Sequence, residues 1–494
     1  MLNSLKSIFN LKPDSQEENV RNFVLVFLLF LWFVNPINKL IVILFLILIF
    51  VLFRFTKNLG ISLVLGYFLS SFFPIGKIYY IQLLDIKNFP NLVQLYPIGL
   101  VTRVQISVSD VLFAFLVVYS ITVWYRKKIN FKKITIIDFF LIAFFFYGIL
   151  ADIFVSSNLY FSLFLKKDLF EFIFIYFMIR FIIKDQSLLY KLFLSILISF
   201  TLFESFVILQ QFIHSSPIGK TLEATFDIES FGQGSDELFF FYRPIGTFIH
   251  ANLLAMYLAA ILPFFAYLIT KSNKYFLKIV FFLTVTSLIL TLSRAAWLAS
   301  LISFLIILFY LEYRKKKILI RSLSLKKIIL YFLLALPLLF YSVPRVAKIS
   351  NIFQEGSGLN LRLRQTNEVI ELIFQSPLFG TGTGLSVVKA MQKNPKGVFA
   401  FFPSEIHNYF LLQAVENGLP YLGFFVIFIF LSLKRLINYK KKSSFFGAVS
   451  IITLIIAGLF QPFILNKLLL IILAFNYDRI SEESYDNEME KNSI

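Results

Sequence analysis

Apolar runs long enough to cross roughly 30 Å of hydrocarbon recur from one end of this 494-residue chain to the other, and they leave few folds open. Spans are expected near 22–35, 39–53, 59–75, 109–125, 136–152, 168–184, 188–213, 246–270, 276–292, 296–311, 328–343, 409–433, 445–460 and 464–478. Several fall short of the roughly 20 residues that a helix along the bilayer normal needs, and the last pair, split at Gln461-Pro462, also reads as one broken hairpin. The expected fold class is all-α, a polytopic membrane helix bundle of about 12–14 transmembrane helices. Composition agrees, with 58% hydrophobic residues, 65 Phe and a mean hydropathy of +0.80.

In such a chain the placement of cations matters more than the formal excess of +19, so the basic balance is no nucleic-acid signal. Three short loops concentrate them: Arg126, Lys127, Lys128, Lys132 and Lys133; Arg314 to Lys317 with Arg321, Lys326 and Lys327; and Lys434, Arg435 and Lys440 to Lys442. An alternating count puts all three on one side. Taking that side as cytoplasmic places both termini inside and the polar loops 76–108, 214–245 and 344–408 outside. The first apolar run lacks a small-residue cleavage site and meets a second span at once, so it reads as a retained signal anchor. Residues 1–21 can form an interfacial helix through Leu2, Leu5, Ile8 and Phe9, and the acidic stretch from Ser481 to Ile494 reads as a disordered tail. Cysteine is absent, which removes disulfides and thiolate metal sites and leaves the redox compartment open. No period of 20 to 50 residues and no inverted pair of Gly/Pro-broken helices is visible, which weakens a transporter reading without removing it.

The outer loops differ in charge. Loop 214–245 sets Glu223, Asp227, Glu229, Asp236 and Glu237 against Lys220 and Arg243. Loop 344–408 has the opposite balance, with Arg345, Lys348, Arg362, Arg364, Lys389, Lys393 and Lys396 against Glu355, Glu368, Glu371 and Glu405. A positive outer loop runs against the usual bias, so its cations call for an anionic partner such as a lipid head group or a pyrophosphate. Within it, Leu363, Thr366, Ile370, Ile373 and Phe374 mark one face of a helix expected to lie on the membrane and to stop at Ser376-Pro377. Arg362 and Arg364 would then either grip phosphate oxygens bidentately or snorkel to lipid. Gly380, Gly382 and Gly384 read mainly as a turn and secondarily as a backbone anion nest; their spacing is not a nucleotide signature.

Two further arginines sit where the charge is expensive. Arg294 lies between two apolar spans with almost no loop, and Arg243 stands at the outer mouth of the next span; each reads as a functional cation or as an interfacial anchor. Asn252, just inside that span, is a bundle hydrogen-bonder or a substrate contact. His407 joins the basic loop to a span, where a base can meet an acceptor hydroxyl beside a lipid-borne leaving group. With only His214 and His250 besides, and no metal-ligand spacing among the three, no metal site is expected.

The run His407-Asn408-Tyr409-Phe410-Leu411-Leu412-Gln413 with Glu416-Asn417-Gly418-Leu419-Pro420 resembles the signature of the O-antigen ligase and polymerase superfamily. Ser293-Arg294-Ala295-Ala296-Trp297, the Arg243 to Asn252 segment and Pro377-Leu378-Phe379-Gly380-Thr381-Gly382 are similar to it as well, in the same order, over roughly residues 240 to 435. One departure stands out: Tyr421 occupies a position where the family often has a second glycine.

The resemblance implies a GT-C-like membrane glycosyltransferase that needs no cofactor. Its donor would be a glycan on undecaprenyl pyrophosphate and its acceptor a lipid-linked sugar, with membrane lipids as surroundings and no nucleic acid. His407 would be catalytic, and Arg243, Arg294, Arg362, Arg364, Asn252 and Asn408 would bind substrate; no Asp-x-Asp pair occurs to hold a divalent ion, so arginines would meet the diphosphate charge. The implied organisation is a cytoplasmic segment 1–21, transmembrane helices 22–213, a ligase-like catalytic region 214–435 with its large helical extracytoplasmic loop 344–408, further transmembrane helices 436–480 and a cytoplasmic tail 481–494, in the bacterial cytoplasmic membrane. O-antigen ligase in lipopolysaccharide assembly is the reading adopted, with repeat-unit polymerase of O-antigen or capsule as the alternative. A transporter of anionic solutes is the reading from another class.

Overall fold

The computed structural model describes residues 16–34, 38–71, 76–82, 101–126, 134–215, 243–248, 250–272, 274–315, 358–401, 403, 406–438, 442–461 and 473. The expected span 328–343, the span 464–478 apart from residue 473, the tail and most of residues 1–21 lie outside them. The chain is an all-α polytopic membrane protein. The first helices are α1 (Gln16–Val34), α2 (Asn38–Thr56) and α3 (Leu59–Ser70), followed by an antiparallel ribbon of β1 (Gly76–Gln82) and β2 (Val101–Ser107). Then come α4 (Val108–Arg126), α5 (Ile136–Val155), α6 (Leu159–Leu165), α7 (Lys167–Phe181), α8 (Gln186–His214), α9 (Ala251–Ser272), α10 (Tyr275–Leu290) and α11 (Arg294–Lys315). Residues 358–417 hold α12 (Gly358–Gln375), α13 (Ser386–Lys393), α14 (Val398–Phe401) and α15 (Tyr409–Asn417), and α16 (Leu419–Asn438) and α17 (Lys442–Gly458) follow.

Among the described residues, five helices, α4, α5, α8, α9 and α16, are long and apolar enough to cross a membrane, and five more apolar helical stretches are shorter. Their outward faces are hydrocarbon. Phe144 is 2% exposed whereas Phe146, turned to the other side of α5, is 62% exposed, a pattern at home only in lipid. Two sequence expectations change. The polar loop 76–108 contains the ribbon, paired from Gly76↔Ser107 to Gln82↔Val101. The span expected at 409–433 is two helices, because Gly418 adopts φ +89 and breaks the α-helical path.

Helix starts follow from side chains that take up free backbone N–H groups. Asn58 accepts from Ile61 N–H at α3, Asp185 from Leu188 N–H at α8, and Thr135 and Asp138 form a capping box at α5. Helix α8 lies at the centre of the main core, against α1 and α10; α9 packs on α10, α11 and α17, and α5 on α16. A second core, built from Val369, Ile373, Met391, Phe399, Leu412 and Val415, joins α12, α13, α14 and α15. This core splits the face anticipated for α12: Ile373 turns inward, whereas Leu363, Ile370 and Phe374 stay exposed.

Helix α5 is fastened at both ends by buried ion pairs. Asp138, in its first turn, pairs with Arg180 of α7 and accepts from Tyr176 Oη at 2.9 Å. Asp152, in its last turn, pairs with Lys166. Charges this deep are tolerated only when paired and hydrogen-bonded.

Candidate active site

The turn 243–248 is held from below by α8. Gln211 Oε1 accepts from Ile245 N–H at 3.1 Å and Gly246 N–H at 2.9 Å, and its amide donates to Gly246 O at 2.9 Å. Glu204 accepts from Thr247 N–H at 3.1 Å and from the Thr247 hydroxyl. Gly246, at φ +63, is required here, since a Cβ would stand 2.1 Å from Glu204 Oε2. The turn delivers Arg243, 8% exposed, to a fixed place: Nε donates to Thr291 O at 2.6 Å and Nη2 donates to Asn252 Oδ1. Asn252 passes the contact on through Nδ2 to Gln461 Oε1 at 3.1 Å, and its backbone N–H donates to His250 Nδ1 at 3.0 Å.

His407 meets this cluster from the other side, on the segment leading into α15. Its Nδ1 is buried without a hydrogen-bond partner among the described residues. Burial, and then the Arg362 guanidinium beside it, push its pKa down to about 4. His250 is also driven to about 4, by burial and by Arg243, His407 and Arg362. Arg362 is itself lowered by burial and by Arg294, the first residue of α11. Arg243, Arg294, Arg362, His250 and His407 therefore share one field, each cation penalising the next. Such a cluster is organised for an anion, whose arrival would relieve the repulsion.

The remaining site candidates separate. Arg362 and Arg364 are both exposed on α12, but none of the interactions that tie the cluster together involves Arg364. Asn408 is the N-cap of α15, its Oδ1 accepting from Phe410 N–H at 3.0 Å and Leu411 N–H at 3.1 Å. The glycine run is a turn and not an anion nest, because the four successive N–H groups from Gly380 to Thr383 already have protein acceptors. Gly380 N–H donates to Ser376 O, Thr381 N–H to Val415 O at 2.8 Å, Gly382 N–H to Glu416 O at 2.9 Å and Thr383 N–H to Asp152 Oδ1 at 2.8 Å. The loop is thereby zipped to the end of α15. Gly418 permits the approach: a Cβ there would lie 1.8 Å from Leu378 O.

Sequence reading missed the polar knot beneath this loop. Four oxygens surround the three N–H donors of Lys166 Nζ: Gly148 O and Asn417 Oδ1, each at 2.7 Å, Thr383 Oγ1 and a carboxylate oxygen of Asp152. Four segments meet on one ammonium: α5, the α6–α7 junction, the glycine loop and the end of the His407 helix. The available signal was an ionisable residue at the end of each of two apolar runs. Among the described residues Asp110, Asp168 and Glu171 also bring carboxylate oxygens within 4.8 Å of one another, as a metal site would. Protein groups meet that charge: Lys167 Nζ lies 2.7 Å from Asp110 and 3.8 Å from Asp168, and Tyr67 Oη donates to Glu171 at 2.8 Å.

Residues 279–426 match a family model described as O-antigen ligase. The match takes in Arg294, Arg362 and His407 and stops short of the Arg243 turn. No curated protein matches the chain.

Proposed function

We propose, from the chain's membership of the O-antigen ligase and polymerase superfamily through residues 279–426, a specific role for this membrane glycosyltransferase. It moves a glycan from undecaprenyl pyrophosphate to a sugar hydroxyl at the outer face of the bacterial cytoplasmic membrane. The observation that carries the reading is the convergence of Arg243, Arg294 and Arg362 with one neutral imidazole, His407.

His407 takes the proton of the acceptor hydroxyl as that oxygen attacks the anomeric carbon. The bond from this carbon to the diphosphate oxygen breaks in line, and undecaprenyl pyrophosphate departs with the electron pair. The negative charge that grows on the leaving diphosphate is met by guanidinium groups already in position, which is where preorganised electrostatics lowers a barrier most. Arg243, held by Thr291 O and Asn252, and Arg362, beside the base, are the best placed to do so. Asn408 acts by capping α15 and so aiming His407.

The acceptor assigned is the core sugar of a lipopolysaccharide, making the protein an O-antigen ligase. A His407→Ala strain should keep the protein in the membrane and lose polymer-bearing bands on a polysaccharide gel; unchanged bands would refute the reading. The lipid-linked material that accumulates in a deletion strain tests the acceptor: full-length polymer supports a ligase, and single repeats would replace it with a polymerase.

A further inference from the structure

His250 has a geometry that the mechanism above does not use. It is the residue before α9 and serves as its N-cap, accepting Asn252 N–H on Nδ1 at 3.0 Å while its carbonyl accepts Leu253 N–H at 3.0 Å. Histidine is an unusual choice for this post, which serine, threonine, aspartate or asparagine usually fills. A backbone N–H can only donate, so Nδ1 must carry a lone pair. The proton of the neutral ring is therefore on Nε2. That nitrogen lies on the opposite edge of the ring, turned from the helix end, and makes no hydrogen bond within the described residues. The surroundings keep the ring uncharged: burial, Arg243, His407 and Arg362 all oppose a second proton.

We infer that His250 is a substrate-binding residue, a neutral donor whose Nε2–H hydrogen-bonds a phosphate oxygen of the lipid diphosphate held by Arg243 and Arg362. The inference rests on the function proposed above and adds to it a residue and a role. A fourth full charge among Arg243, Arg294 and Arg362 would add repulsion in the empty site; a neutral N–H supplies a directed donor without it. The backbone bond at Nδ1 fixes both the tautomer and the ring plane, so little orientation is lost on binding. The N-terminal end of α9 adds its own partial positive charge at the same place.

His250→Asn is the discriminating substitution, since asparagine caps a helix well and is too short to replace Nε2–H. Binding of undecaprenyl pyrophosphate and of undecaprenyl phosphate would be measured with the purified full chain in lipid nanodiscs, alongside its thermal unfolding. The expected result is an unchanged unfolding temperature, about tenfold weaker binding of the diphosphate, as loss of one hydrogen bond to a charged group implies, and a smaller loss for the monophosphate. Equal diphosphate binding by wild type and variant, or equal losses for both lipids, overturns the role of His250 alone. Wild-type protein that neither binds the diphosphate nor transfers glycan overturns the function proposed above. Should His250→Asn fail to fold, His250→Ser carries the same comparison.

Discussion

Mild acidification should leave the His407 imidazole neutral. With a pKa of about 4, His407 is about 97% neutral at about pH 5.5, whereas a histidine at its ordinary 6.5 would be only about 9% neutral. If the neutral imidazole is the base, kcat/KM, which reports groups of the free enzyme, stays on its plateau at that pH and falls only through about pH 4. His250 also titrates near 4 and adds no fall at higher pH. The informative perturbation is Arg362→Gln, which removes the guanidinium but not the burial that is the larger cause of the shift. Its half-point should rise above the wild type's and remain below 6.5, on top of a uniform loss of rate. The assay is initial-rate glycan transfer in proteoliposomes from purified lipid-linked donor, each profile scaled to its own plateau. A wild-type half-point near 6.5, or scaled profiles that superimpose, would refute this account of the site's electrostatics.

Three further outcomes follow from the packing. Lys166→Met strands Asp152, fully buried, without its partner and should cost about 3–5 kcal/mol in unfolding experiments in detergent; adding Asp152→Leu should recover part of that loss, and strictly additive losses would contradict the knot. Gly418→Ala places a Cβ on top of Leu378 O at a backbone angle that alanine resists, so the protein should fail to accumulate in membranes, as read by quantitative blot against wild type. Asn408→Ala should destabilise by about 1 kcal/mol through loss of the α15 cap and lower transfer with it, while Asn408→Ser keeps both; a serine variant that is stable yet inactive would show a direct contact with substrate.

The apolar runs made the membrane class legible, because nothing but lipid accommodates faces such as that of Phe146, Phe50 and Val118. Arg243, Arg294 and His407 were readable one at a time as polar groups in costly positions, and Arg362 as a cation on an outer loop. Their convergence was not readable, since it depends on how α9, α11 and α12 are set against one another. Arg362 and Arg364 looked equivalent in sequence. Two residues apart on a helix, they point to nearly opposite sides, and only Arg362 faces the histidines. The glycine run was ambiguous for a related reason: whether successive N–H groups cradle an anion or bond to protein depends on what packs against them, and here it is the end of α15. Lys166 and Asp152 escaped notice because fourteen residues of chain separate the partners of their ion pair, and two of the other groups around the ammonium, Thr383 and Asn417, lie more than two hundred residues away.

The crowding of guanidinium and imidazole groups has a thermodynamic corollary. Whatever negative charge settles among Arg243, Arg362, His250 and His407 must raise the proton affinity of both rings, and linkage makes the effect mutual. Donor binding should thus tighten as protons become available. On the function proposed above, the His407 imidazole would gain basic strength only once a diphosphate is in place, so that an idle protein would hold a feeble base and a loaded one a competent base, with the timing set by charge alone.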